Sequence, residues 1–199
     1  KIWIKTMPSQ DNKNPLALNL YVLSYDGNKN LTAPNQATKE NLQTYLGQYR
    51  MVTDAINIKT AYVINIGVKF SIMTLPQFNK NEVLVRCINE VKSFFNIDRW
   101  QINQPIVISD LLYKLSVVEG VAVVVTPEDA VASTANPADK PQIIITNKYR
   151  TADGYSGNVY DMDKAYYNGI YHTSLDPSMF ELKYSDSDIQ GKVVGTIGG

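Results

Sequence analysis

Between positions 62 and 73 every even-numbered residue is apolar (Tyr62, Ile64, Ile66, Val68, Phe70, Ile72), while Asn65, Gly67, Lys69 and Ser71 interrupt the odd positions. Successive side chains of an extended chain point to opposite faces, so a period of two sustained this long predicts one long strand with a buried even face. Such a strand needs strand neighbours and a covering layer to be stable. Gly67, at its middle, is expected to mark a bulge or a close backbone approach. Pro76 ends the run.

The neighbouring segments supply the layer. Over residues 38–50, Leu42, Tyr45, Leu46 and Tyr49 recur at i, i+3, i+4 and i+7, which predicts an amphipathic helix of about three turns with Thr38 as N-cap. Gly47 costs that helix about 1 kcal/mol relative to Ala, so its stability must come from packing. Asn79 followed by Glu82 reads as the start of a second helix carrying Val83, Leu84, Cys87, Ile88, Val91 and Phe95 on one face. Ser109 is expected to cap a third helix with Leu111, Leu112, Leu115 and Val118 inward, and Gly120 sits where a left-handed terminator is wanted.

Strand signals lie on both sides. Residues 1–5 alternate, and residues 16–25 form an apolar run between Pro15 and Asp26-Gly27. Two β-branched runs, 121–126 and 143–146, are separated by a segment, 127–141, with too few large apolar groups to offset its ordering entropy; it is expected to be mobile unless a neighbour covers it. In the last fifty residues Asn168-Gly169, flanked by Tyr166-Tyr167 and Ile170-Tyr171, is a hairpin signal. This order predicts an α+β fold with helices packed on one face of a mostly antiparallel sheet and β-rich N- and C-terminal arms. The expected organisation is a β segment over 1–34, a central α+β domain over 35–148 and a hairpin-rich region over 149–199.

The chemistry is sparse. Nineteen basic residues balance nineteen acidic ones, so no global field draws the chain to nucleic acid or an anionic membrane, and no Lys/Arg cluster has interleaved aromatics. One cysteine, Cys87, cannot close an intrachain disulfide, and its apolar helix face reads it as a small buried hydrophobe. The single histidine, His172, stands beside Ser174 and Asp176 at a spacing of two, which aligns the three on one face without converging them as a triad must. One His and one Cys cannot build the usual zinc site. Asp186-Ser-Asp188-Ile-Gln190-Gly191 matches the first half of a calcium loop, but Ile197 stands where the bidentate Glu belongs, so a solvated turn is the expectation. The glycines at 154, 157 and 169 lack the spacing of a phosphate loop, and the Asn30-Leu31-Thr32 triplet has no secretory context to make it a glycosylation acceptor. No apolar run reaches the roughly 20 residues of a membrane span. The opening directly into an alternating strand suggests a piece of a longer polypeptide. No catalytic residue, metal site or cofactor is expected, and the chain is read as a non-enzyme.

Tyrosine is the positive feature. There are thirteen, most beyond position 110. Tyr155, Tyr160, Tyr166, Tyr167 and Tyr171 are either the two faces of a small meander packed on the main body or an interface patch, since alternate residues of a hairpin cannot all point inward. With Tyr45, Tyr49 and Arg50 on the first helix they form the candidate interface set.

Five phrases bear a resemblance: 49–58 (Tyr-Arg-Met-Val-Thr-Asp-Ala-Ile-Asn-Ile), 118–121 (Val-Glu-Gly-Val), 154–157 (Gly-Tyr-Ser-Gly), 176–184 (Asp-Pro-Ser-Met-Phe-Glu-Leu-Lys-Tyr) and 188–191 (Asp-Ile-Gln-Gly). In wording and order they resemble the C-terminal part of the large baseplate wedge subunit of T-even-like contractile-tailed phages, related to the baseplate J-like proteins. The similarity runs from about residue 37 to 192; the 127–141 loop has no counterpart and residues 1–30 match loosely. It implies a structural virion protein of the tail baseplate, assembled in the host cytoplasm. Copies of such proteins pair and join into an inner ring around the tail tube, contact other wedge proteins and the sheath-initiating component, and rearrange as the sheath contracts. The rival expectation is a β-rich module that binds a carbohydrate or a host receptor; an enzyme domain with its catalytic residues elsewhere is a third.

Overall fold

A computed structural model describes residues 1–5, 17–49, 55–130 and 140–197. In chain order the first elements are β1 (Ile2–Lys5), β2 (Ala17–Val22), β3 (Ser24–Tyr25), β4 (Leu31–Thr32), α1 (Gln36–Gly47), β5 (Ala55–Thr60), β6 (Tyr62–Thr74) and α2 (Lys80–Phe94). There follow β7 (Ile106–Val107), α3 (Ile108–Ser116), β8 (Val121–Val125), β9 (Ile143–Asn147), α4 (Met162–Ala165), β10 (Tyr166–Tyr167), β11 (Ile170–Tyr171), β12 (Ser178–Glu181) and β13 (Ile189–Thr196). The fold is α+β, and most strand pairings are antiparallel.

β6 is the spine. On one edge β9 pairs antiparallel with its first half (Ile66↔Asn147 to Phe70↔Ile143) and β8 with its second (Ser71↔Val125 to Thr74↔Val121). On the other edge β12 pairs parallel with residues 62–65 and β13 with residues 68–74. One long strand thus organises four short ones, two on each side. The even face is core from Ile64 to Ile72, with Ile66, Val68 and Ile72 0% exposed and Phe70 1%, but Tyr62 at the strand's start is 52% exposed and not part of it. It is continuous with Val83, Cys87 and Val91 of α2 and with Leu111 and Leu115 of α3. A Cβ on Gly191 of β13 would lie 2.6 Å from both Leu84 Cδ1 and Phe70 Cζ, so only glycine allows this approach of α2 to the sheet. Gly67 marks a close approach and no bulge: its ladder to β9 is unbroken, and a Cβ there would lie 2.8 Å from Lys148 Cε.

Caps and boundaries show where local signals mislead. Asn79 caps α2 through its side chain, accepting from the Asn81 N–H, as expected. α1 is capped by Asn35, whose Oδ1 accepts from the Thr38 N–H at 2.7 Å, so the helix begins two residues before the expected cap. α3 starts at Ile108 with no side-chain cap, leaving Ser109 inside the first turn. Gly120 has the left-handed φ expected, 93°, but α3 already ends at the right-handed Val117 C-cap, so this glycine serves the turn into β8 and not the helix terminus. The 16–25 run is two strands, broken at buried Leu23, whose N–H donates to the Lys1 carbonyl.

Strand pairing crosses both expected domain boundaries. β5 joins β1 and β2 in an N-terminal sheet, and β12 and β13 lie in the central sheet beside β6. Within the 127–141 segment, residues 131–139 lie outside the described residues. Pro127 and Ala130 are buried, and Asp129 pairs with Lys69 at 2.9 Å.

Candidate protein-contact interface

The candidate tyrosines separate into two groups. Tyr166 and Tyr171 are cross-strand partners in the β10–β11 hairpin, so they share a face. That face is turned inward: both are buried, with ring centroids 4.9 Å apart. The turn is Asn168-Gly169, both at positive φ (50° and 77°), which is the twist-matched two-residue hairpin. β7 then closes the third strand against β11. The expectation that Tyr166 and Tyr171 serve an interface is therefore corrected: they fill this chain's own core. Their partner across the pleat, Tyr167, is 51% exposed and stays a candidate.

Tyr155 and Tyr160 are half-buried, and their hydroxyls are engaged within the chain. Tyr155 donates to Asp188 Oδ1 at 2.6 Å, and Tyr160 donates to the His172 carbonyl at 2.8 Å. Burial, then the Asp188 carboxylate, raises the Tyr155 phenol above its ordinary range, and burial does the same at Tyr160. The solvated turn expected at 186–191 holds for Asp186 and Ser187, which are exposed, but not for Asp188, which is 2% exposed and also accepts from the Tyr184 N–H. The loop 154–160 is thus stitched to the central sheet, with Ser156 and Asn158 both donating to the Val63 carbonyl.

The first helix behaves differently. None of α1 is buried, although it lies against β5. Lys39, Leu42 and Leu46 are half-buried and form the stripe turned to the sheet, whereas Tyr45 (57% exposed) faces outward; the helix ends at Gly47, short of the expected 50, so Tyr49 (72%) lies in the following turn, its ring centroid 5.2 Å from that of Tyr45. Arg50 lies outside the described residues. An exposed, mutually packed tyrosine pair offers apolar area at small ordering cost. Sequence reasoning did not single out a second apolar surface, on β1: Ile2 (56%) and Ile4 (59%) sit on an edge strand. Their alternation was visible, but nothing in it told which strand would be an edge.

The remaining chemistry is internal. Cys87 is fully buried, and burial pushes its thiol up to about 11, which removes thiolate character at neutral pH. His172 is exposed, with its N–H donating to the Ala165 carbonyl. Among the described residues no group of His, Cys, Asp or Glu is placed to hold a metal ion, and no helix is long and apolar enough to cross a membrane. A cleft of about 480 Å³ between the two sheets is lined by Thr32, Thr60, Tyr62, Ser156, Asn158 and Lys183. Compared with models of known protein families and with curated proteins, the chain matches none.

Proposed function

We propose that this chain is a structural component of a contractile-tail baseplate and acts by protein contact, not catalysis. In this reading it is a wedge component that self-associates into the inner ring around the tail tube and takes part in triggering sheath contraction. Its partners are other copies of itself, neighbouring wedge proteins and the sheath-initiating component, and its place is the virion. The observation that carries a contact role is the outward pair formed by Tyr45 of α1, a helix with no buried residue, and Tyr49, two residues past its end. Residues of this kind anchor interface centres. The biological setting comes from the phrases in residues 49–58, 118–121, 154–157, 176–184 and 188–191.

Labelling the chain in intact particles and imaging them tests the reading. A ring of label around the tube at the baseplate is the expected result. Label at the tips of receptor-binding fibres would replace the scaffold by a carbohydrate- or receptor-binding module, and particles without label would end the virion assignment.

A further inference from the structure

The N-terminal strands form a lobe of their own. β1, β2 and β5 ladder with one another and β3 with β4, and among the described residues no ladder crosses from them to the central sheet. Leu20 and Val22 are buried without belonging to the central core cluster. The chain passes from β5 to β6 through one residue, Ala61, and backbone bonding divides there. The Ala61 N–H donates into the lobe, to the Val22 carbonyl, whereas the Tyr62 N–H donates into the central body, to the Pro177 carbonyl.

Among the described residues, these groups tie the lobe to the central body. Leu23 and Leu31 enter the central core, and Tyr21 packs against it. Lys1 Nζ makes an exposed bond to the Asp98 carbonyl. A buried polar tie is Glu181 on β12, whose Oε1 accepts from the Leu31 N–H of β4 at 2.5 Å. Its Oε2 accepts from Asn65 Nδ2 at 2.6 Å. Asn65 cannot turn over without loss, because its Oδ1 accepts from the Ser156 N–H. Both carboxyl oxygens therefore meet donors, and among the described residues no ion pair includes Glu181. The charged groups that act on it are Lys183, whose Nζ donates to the Gly154 carbonyl, and Asp26 in the β3–β4 turn. A buried carboxylate held by neutral donors alone is costly to keep and costly to strip of a partner.

We propose that the N-terminal lobe is a hinged arm that pivots at Ala61–Tyr62 and is latched to the central sheet by the Glu181 carboxylate on the Leu31 amide. The apolar edge of β1 and the Tyr45–Tyr49 pair ride on this arm, so unlatching re-aims them as a unit while each sheet keeps its own ladders. The arm is a property of this chain and does not depend on the assembly reading.

Hydrogen–deuterium exchange of the full chain tests it. In Glu181→Ala, exchange within residues 24–32 should rise roughly tenfold or more at the Leu31 amide, the consequence of losing a hydrogen bond to a charged group, while the arm's own ladders and residues 62–74 keep their protection. Equal acceleration in both segments, or none over 24–32, would overturn the latch. The wild-type chain gives a second measurement should the variant fold poorly. Sub-denaturing urea should open residues 24–32 before 62–74, and one common opening for both segments would rule out a separate arm.

Discussion

Replacing Phe70 by alanine probes the spine directly. The ring is 1% exposed on the even face of β6 and lies under Gly191 and Leu84. A buried aromatic side chain removes about 150–250 Å² from water, which at about 25 cal/mol per Å² is roughly 4–6 kcal/mol as an upper bound. Alanine keeps its methyl group but leaves a cavity, and the measured range for such truncations is about 3–5 kcal/mol. Against a total stability of about 5–15 kcal/mol this is a large loss. Urea unfolding followed by far-UV circular dichroism should show the midpoint fall by about 2 M for an m-value near 2 kcal/mol/M. The control is Lys69→Ala, one residue away on the odd face, where the side chain is 37% exposed and pairs with an Asp129 that is 60% exposed. A surface change of that kind should stay within about 0.5–1 kcal/mol. If Lys69→Ala proved the more damaging of the two, the register assigned to β6 and the core built on it would be wrong.

Gly191→Ala should destabilise by about 1–3 kcal/mol through overpacking against Phe70 and Leu84, seen as a lower melting temperature; no change would mean the α2–sheet contact is looser than described. His172→Ala should leave stability within about 0.5 kcal/mol, and a loss of particle infectivity with normal assembly would argue for a chemical role at that residue. Burial raises the Glu181 carboxyl above its ordinary value of 4.5, so the folded state holds that proton more tightly than the unfolded chain does. Its contribution is fully present below about 4.5 and is lost as pH rises through the folded value. The stability of wild type minus that of Glu181→Gln, measured by urea unfolding, should therefore fall as pH rises from the acid side, and a difference that climbs would reverse the sign assigned to burial.

The long-range alternation of β6 was legible because its even face is dry from Ile64 to Ile72, and the α2 stripe was legible for the same reason at a period of 3.6. β12 was not, because Ser178, Met179, Phe180 and Glu181 are all buried and so leave no alternation to read. β13 was hidden by Gly191 and Gly195, which interrupt its β-branched residues; Gly191 is there to admit Phe70 and Leu84. The hairpin at Asn168-Gly169 could be placed from its turn chemistry, but which tyrosines it turns inward depends on β7, more than fifty residues earlier in the chain. Asn35 displaced Thr38 as a cap because the two compete within one turn, and the phrase alone does not rank them. Glu181 carried no local signal at all, since its partners Leu31 and Asn65 lie 150 and 116 residues away.

Self-association through α1 is the claim on which the functional account rests most heavily. Sedimentation of the whole native chain over a wide concentration range measures it, in wild type and in Tyr45→Ser combined with Tyr49→Ser. Because both rings are exposed, the double variant should keep its circular dichroism spectrum and melting temperature. The account predicts concentration-dependent dimers in the wild type, weakened about thirtyfold or more in the double variant if the pair supplies an anchor of about 2 kcal/mol. A strict monomer at every concentration, or dimers that the double substitution leaves equally tight, would contradict it.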